Sequence, residues 1–282
     1  MTRKALLREA MQKAADLRDH LDLDPFGPVD PYHAAEMLGV KVVFLGASME
    51  GFYFKGPPPR ILISGKRPVG RRAFTCAHEL GHHIFNHGST IDQLQEDDRS
   101  DAEKPEEIIA NGFAASFLMP SVGLRGAFAK RGWKISTATP WQIYVVACQF
   151  GVGYRTLVSH LAFTLRDLPP PQREKLDRWT PQRIRTETIG EGYDALLAID
   201  GASEGQTFDV EKGCVVLVPP GTKVSGRALI HERTEVEFEL YRAARRGISS
   251  ATGIDTPAEI RVMPNEYEGA ASNRFLEDPD EE

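Results

Sequence analysis

Two histidines four residues apart, with a glutamate beside the first, constrain this chain more than any other feature. Residues 78 to 82 read H-E-L-G-H, which is the pattern H-E-x-x-H. On a helix, residues four apart lie one above the other on the same face, so His78 and His82 can hold one metal ion together. Glu79 is offset by one residue. Its carboxylate would therefore lie beside the ion, where a general base takes a proton from the attacking water.

The segment around this motif is expected to be helical. Residues 74 to 87 contain no proline, and one glycine is a small cost to a helix. Apolar and small residues recur there at helical spacing, namely Phe74, Ala77, Gly81, Ile84 and Phe85. A helix packed through that face would hold the motif rigidly. The alternative that the residues leave open is a charged helix face with solvated histidines.

A catalytic zinc ion needs a third protein ligand, and a second helix offers the candidates. Residues 108 to 119 read as an apolar helix, with Pro105 and two acids in its first turn, where both residue types are favoured. Glu107 shares one face with Asn111, Ala114 and Leu118. Glu107 is therefore the first candidate, and Glu106 and Glu103 are weaker ones. For each of them the alternative is a surface acid that stabilises the helix dipole.

The two segments together resemble a known family. HELGHHIFNH followed by EEIIANGFAASFLMP is similar to the ImmA/IrrE metallopeptidases, which carry a zinc helix and then a second helix with the pattern E-x-x-A-N and an L-M-P end. The preceding GRRAFTCAHELGHH and the upstream motifs P-V-D-P and L-G-V agree with this family as well. The resemblance covers residues 5 to 165 approximately.

The resemblance implies a fold, a site and an activity. The fold is α+β, with a zincin-like metallopeptidase domain in which a small sheet precedes the metal helix and its edge strand holds a peptide in extended form. The ligands are His78, His82 and Glu107, and Glu79 is the general base. The ion is zinc, with manganese or another divalent cation as the alternative. The activity is that of a metallo-endopeptidase.

The resemblance also implies a class of protein substrate. This is a helix-turn-helix transcriptional repressor, cut once so that stress-response or mobile-element genes are released. A second hypothesis is a transcription regulator or sensor that uses the peptidase fold only as a scaffold. The complete H-E-x-x-H motif together with Glu107 argues against a scaffold, because a scaffold need not keep the base Glu79.

Further polar residues are candidates for supporting roles. The oxyanion needs a hydrogen-bond donor besides the metal, and the sequence does not choose among Tyr53, Tyr144 and His160. Asn111 is expected either to fix a metal ligand or to hydrogen-bond between helices. His83 and His87 repeat the four-residue spacing without an acid in the base position, so we interpret them as surface residues or as residues behind the ligands.

The pattern along the chain predicts four regions. Residues 1–130 form the zincin-like domain, 131–188 a helical segment and linker, 189–265 a β-rich domain, and 266–282 an acidic tail. The first region is expected to contain strands at 40–45, 51–54 and 61–64, ahead of the metal helix. The β-rich domain occupies the place of the GAF-like sensor domain of some relatives, and that comparison is one of position only.

The helical segment has the shape of a helix-turn-helix. Residues 142–150 and 154–165 read as two helices joined at Gly151. Phosphate contacts require several cations, and the second helix offers only Arg155 and His160 before its end. Structural use or binding of a protein is therefore the favoured interpretation over direct binding of DNA.

Composition bounds the remaining possibilities. The formal net charge is −6, and residues 266–282 alone carry seven acids and one arginine, so the rest of the chain is formally neutral. We expect this tail to be disordered and its removal to leave stability unchanged.

Three scattered cysteines, Cys76, Cys148 and Cys214, form no C-x-x-C motif and suit a reducing cytoplasm. We expect no apolar run of membrane length and no signal-peptide core.

Overall fold

The chain forms two compact units. Its fold is α+β, as the sequence predicts. A computed structural model describes residues 2–88, 104–203, 205–253 and 257–277. The first unit is Met1–Leu124 with Glu266–Asn273, and the second is Arg125–Asn265 with Arg274–Glu282.

The first unit packs helices against one mixed sheet. Its helices are α1 (Arg3–His20), α2 (Pro31–Met37), α3 (Val69–Ile84) and α4 (Pro105–Leu118), and α5 (Ser121–Lys130) follows them. Its strands are β1 (Lys41–Leu45), β2 (Gly51–Phe54), β3 (Arg60–Ser64) and β12 (Gly269–Ala270). The sheet order is β12-β1-β3-β2, with β1 parallel to β3 and the other pairs antiparallel. The three strands predicted before the metal helix are confirmed within one residue.

Helix α4 is the centre of the first unit and packs against both α1 and α3. Its C-terminal end is fixed by Arg18 of α1, which is only 3% exposed. The Nε atom of Arg18 donates to the carbonyl of Phe117 at 2.8 Å, and Nη1 donates to the carbonyl of Gly27 at 3.1 Å. Burial lowers the pKa of Arg18 to about 10, although nearby Asp24 opposes the shift. The buried guanidinium thus satisfies the carbonyl of Phe117, which the end of α4 leaves without a helical partner, and a loop carbonyl at Gly27.

The stretch from α4 to α5 corrects one expectation. Residues 105–130 are long and apolar enough, by composition alone, to cross a membrane. However, 67% of the most apolar window is buried inside the protein, and the stretch is interrupted between α4 and α5. Its apolar character therefore has a simple physical reason, since α4 is a core helix of the first unit.

The second unit contains the predicted helix-turn-helix shape. Its further helices are α6 (Pro140–Gln149), α7 (Tyr154–Ser159), α8 (Pro170–Asp177) and α9 (Pro181–Ile189), and α7 continues as a π-helical turn over His160–Thr164. The hydroxyl of Thr139 and the amide of Gln142 form a capping box at the start of α6. Gly151 makes the turn with a φ of +62°, a conformation that favours glycine.

The predicted β-rich region consists of two four-stranded sheets. The strands of the first sheet follow the order β5 (Thr207–Glu211), β11 (Ala258–Met263), β10 (Gly247–Thr252) and β7 (Lys223–Gly226). The strands of the second sheet follow the order β4 (Leu196–Ala198), β6 (Val215–Val218), β9 (Glu239–Ala243) and β8 (Leu229–Thr234). Their inward side chains share one core, which includes Phe208, Val216, Val218, Ile260 and Val262. Whether this region is a sensor stays a prediction.

The helical segment and the β-rich region belong to one unit, where the sequence suggested a boundary at residue 188. Arg131 donates to both carboxylate oxygens of Asp200, at 2.6 and 2.7 Å, and also to Gln149 at 2.8 Å. The hydroxyl of Tyr144 donates to the carbonyl of Leu196 at 2.7 Å. A change in sequence periodicity marked the change of secondary structure, and these hydrogen bonds join the two parts.

The C-terminal segment is folded, so the expectation of a disordered tail over 266–282 is wrong for its described part. Strand β12 pairs with β1, which makes residues 266–273 part of the first unit. Tyr267 packs edge-on against Phe44 with ring centroids 5.9 Å apart, and Ala271 is fully buried. Arg274, 2% exposed, donates to Asp209 at 2.7 Å. The acidic run over 278–282 lies outside the described residues.

Removal of residues 266–282 is therefore expected to destabilise the protein. The truncated chain loses strand β12 and the burial of Tyr267, and burial of one large apolar side chain stabilises by about 1.5–3 kcal/mol. We expect the melting temperature to fall by about 4 °C or more, measured by circular dichroism. The matched control removes 278–282 alone, which takes away charge but none of these contacts. Equal melting of the two truncations would contradict the packing of the segment.

Candidate metal centre

Helix α3 places the two histidines of the motif on one buried face. His78 is 4% exposed and His82 is fully buried. Their Nε2 atoms lie 3.0 Å apart, because a helix brings side chains four residues apart to the same side. Two nitrogen donors thus point to one location.

Helix α4 contributes the carboxylate. Glu107 lies in its first turn, and its oxygens are 3.2 Å from Nε2 of His78 and 3.3 Å from Nε2 of His82. The two helices can approach closely because α3 carries Gly81 at the crossing. A Cβ atom there would lie 3.2 Å from the Cα atom of Ala110.

The three side chains fit a divalent metal ion. A tetrahedral zinc ion with ligands at about 2.0–2.1 Å separates those ligands by about 3.3–3.4 Å, close to the 3.0–3.3 Å found between the donors. Two imidazoles and one carboxylate are also the donor set of a catalytic zinc site, which leaves one position open. Among the described residues, His78, His82 and Glu107 are the set of potential ligands that lies close enough together to hold an ion.

The charge of the cluster suits a cation. Burial by itself would raise the pKa of the Glu107 carboxyl, but the hydrogen bonds from His78 and His82 outweigh burial and hold the pKa well below its usual range. Glu107 is therefore ionised at neutral pH and offers a negative charge in a largely buried place.

The other acids considered from the sequence do not join this cluster. Glu106, one residue before Glu107, is exposed, as the helical rotation of about 100° per residue predicts. Glu103 lies outside the described residues. The structure thus brings together the three residues that the sequence favoured, while their role as ligands stays a prediction.

Glu79 lies against strand β2, in a close contact that the helical pattern alone does not predict. It is fully buried. A Cβ atom built on Gly51 would lie 3.2 Å from Oε1 of Glu79 and 2.4 Å from Cγ2 of Thr75. The strand backbone therefore packs directly on the candidate base. The available signal was a glycine inside a strand pattern, which often marks such an approach.

Each histidine ligand candidate has a partner for its other ring nitrogen. Nδ1 of His78 lies 3.2 Å from Oδ1 of Asn111, and Nδ1 of His82 lies 2.9 Å from Nδ1 of His87. Such partners fix the orientation and tautomer of a metal-binding imidazole. The bond of Asn111 joins α4 to α3, as one of the two expectations has it, and its role in fixing a metal ligand stays a prediction.

The three candidate donors to the oxyanion belong to different units. Tyr53 belongs to β2 in the first unit, and its hydroxyl lies 2.8 Å from Nδ1 of His83. Burial raises the pKa of Tyr53, which keeps its hydroxyl protonated. Tyr144 and His160 belong to the second unit, where the Tyr144 hydroxyl donates to the carbonyl of Leu196.

The fold and the site define a class of protein. A small sheet, a buried H-E-x-x-H helix and a carboxylate from the next helix are the arrangement that the resemblance to metallopeptidases implies. Residues 35–161 match the peptidase family model described as the IrrE N-terminal-like domain, and this match supports assignment to the ImmA/IrrE family. The resemblance to the ImmA/IrrE metallopeptidases is thereby confirmed.

The remaining comparisons are more distant. A solved structure of a Mycobacterium tuberculosis transcriptional regulator is 20% identical, covers 61% of this chain and has a TM-score of 0.37. This chain spans 55% of that one, and so distant a likeness carries no argument about function. No curated protein sequence matches the chain.

Alanine at position 107 is expected to weaken metal binding, whereas alanine at position 106 is not. Glu107→Ala leaves two histidines, which are too few for a stable site, and Glu106→Ala removes only an exposed acid. A zinc competition titration against a chelator measures both variants beside the parent. Loss of zinc from Glu106→Ala instead would contradict the observed geometry.

The contact between β2 and α3 predicts that one methyl group added at Gly51 lowers the stability of the protein. Gly51→Ala should destabilise the protein by about 1–3 kcal/mol, because overpacking forces backbone or side chains to move. Adding Thr75→Ser removes the methyl group at 2.4 Å and should recover part of the loss. Denaturant unfolding measures the free energies. Gly126→Ala, where a Cβ meets nothing within 4 Å, is the matched control. Equal stabilities of the two alanine variants would refute the close approach.

Proposed function

We propose that this protein is a zinc-dependent endopeptidase. One observation carries the proposal: the donor atoms of His78, His82 and Glu107 converge within 3.0–3.3 Å, and Glu79 is buried on the same helix. Placing a carboxylate and two imidazoles together away from water costs folding free energy, and a metal ion bound among them would offset that cost. Their convergence is therefore best explained by a role in binding a metal ion.

The residues of the chain divide the chemistry among them. Bound zinc would polarise the scissile carbonyl and lower the pKa of the attacking water to about 7. Glu79 accepts the proton of that water and passes it to the leaving amine. Asn111 orients His78 through the hydrogen bond to Nδ1. Tyr53 is the candidate donor to the oxyanion within the first unit.

Strand β2 offers a place for an extended peptide. It is the last strand of its sheet, and in the described part of the chain it pairs with β3 alone. Gly51 of this strand touches Glu79, so a peptide added along the free edge would run beside the base. Main-chain hydrogen bonds would hold the peptide with little dependence on its sequence.

The proposed substrate is a helix-turn-helix repressor in the cytoplasm, whose cleavage releases stress-response or mobile-element genes. The family of residues 35–161 supports this proposal. The helical segment of this chain is proposed to act on protein and not on DNA. Of the two positive groups on the second helix of its helix-turn-helix shape, His160 is 3% exposed, which leaves Arg155 as the cation on that helix.

A regulator that uses the fold only as a scaffold is the second candidate. This hypothesis predicts that the protein binds no metal ion and cleaves no repressor. Zinc analysis separates the two, since the enzyme should hold one zinc ion per chain and lose it in His82→Ala. Co-expression with a helix-turn-helix repressor encoded beside this gene should then give a cleaved repressor band. Zinc-free protein and an intact repressor would favour the scaffold.

Glu79→Gln is expected to abolish cleavage while zinc binding stays. The amide keeps the shape of the side chain but cannot accept the proton, and a general base contributes about 100-fold to 10,000-fold in rate. Cleavage of the repressor is followed by gel, and zinc content by competition titration. Glu9→Gln on the exposed surface of α1 is the matched control. Cleavage by Glu79→Gln at near the parent rate would show that the base is another group.

A further inference from the structure

The end of helix α3 has a specific geometry that bears on the metal centre. Asn86 has a φ of +57°, the left-handed conformation that ends many helices. The N–H of Asn86 donates to the carbonyl of His83 at 3.0 Å, and the N–H of His87 donates to the carbonyl of His82 at 2.9 Å. These two bonds together are a Schellman motif. Such a motif returns the second residue beyond the helix to the last turn.

Here the residue that returns is a histidine, and the residue that it meets is a ligand candidate. A Schellman motif usually makes an apolar contact at this place. In this chain Nδ1 of His87 lies 2.9 Å from Nδ1 of His82. The ring of His87 also stacks on Phe85 with centroids 5.9 Å apart, and Phe85 contacts Phe113 of α4 edge-on. The cap and the aromatic contacts both fix the position of the His87 ring.

The direction of the hydrogen bond follows from the role of His82. Its Nε2 atom faces His78 and Glu107, at 3.0 and 3.3 Å, so the proton of a neutral His82 that binds a metal there must be on Nδ1. Nδ1 of His87 is then the acceptor. His87 carries its own proton on Nε2, which is an ordinary neutral tautomer.

We propose that His87 is a positioning residue of the metal centre. It accepts the Nδ1 proton of His82 and thereby holds the imidazole with Nε2 directed at the ion, as Asn111 does for His78. The helix cap at Asn86 places the ring of His87 beside that of His82. This inference rests on the proposed metal-dependent function, but not on any particular substrate.

Zinc competition titration on the intact protein tests the proposal without a substrate. His87→Ala should bind zinc about 10-fold to 100-fold more weakly than the parent, the usual effect of losing such a partner. His87→Gln offers an amide oxygen as acceptor and should recover most of the affinity. His83→Ala is the matched control, because His83 bonds Tyr53 and not a ligand candidate, and its affinity should equal that of the parent.

The cap gives a second pair of variants. Asn86→Gly should keep the affinity, because glycine adopts a positive φ readily. Asn86→Val should lower it, because a β-branched residue is strongly disfavoured in that conformation. Melting of the metal-free variants by circular dichroism identifies any that fail to fold.

The outcomes separate this inference from the function on which it rests. A parent protein that binds no zinc would overturn both. A parent that binds zinc, together with a folded His87→Ala of equal affinity, would overturn the role of His87 alone. A folded His87→Gln as weak as His87→Ala would also overturn it, because the role would then need an imidazole and not merely an acceptor.

Discussion

The close crossing of α3 and α4 is the contact on which the site depends. One helix carries two donors and the other carries one, so the cluster forms only when the helices touch. Gly81 permits this, since a Cβ atom there would lie 3.2 Å from both Ala110 and the Phe113 ring. The packing of two small residues thus converts two helix patterns into one set of converging donors.

The cluster also shows why the fold and a metal ion would stabilise each other. His78, His82 and Glu79 are at most 4% exposed, and removing such polar groups from water carries a desolvation cost. A metal that binds only the folded state offsets this cost, by an amount that grows with the logarithm of its concentration over the dissociation constant. The core of α4, with fully buried Phe113 and Phe117, supplies the apolar burial that keeps the arrangement folded.

Local rules made the convergence of the three candidate ligands predictable, and long-range contacts did not follow from them. The spacing of His78 and His82 and the face of Glu107 follow from 3.6 residues per turn. The approach of Gly51 to Glu79 depends on how a strand packs on a helix, which periodicity does not encode. The C-terminal segment was misread because its acids outnumber its buried residues, among them Tyr267 and Ala271. The net charge of a segment does not indicate which of its few apolar side chains are buried against the rest of the protein.

Helix α3 is held on three sides, and this limits how the site can move. Its ligand face meets Glu107 of α4, its base face meets Gly51 of β2, and its last turn is closed by His87. A rotation of α3 by one residue, about 100°, would break all three contacts together. Small substitutions at any one side should therefore be felt at the others. The geometry of the donors is a property of the whole helix and its neighbours, not of the H-E-x-x-H motif alone.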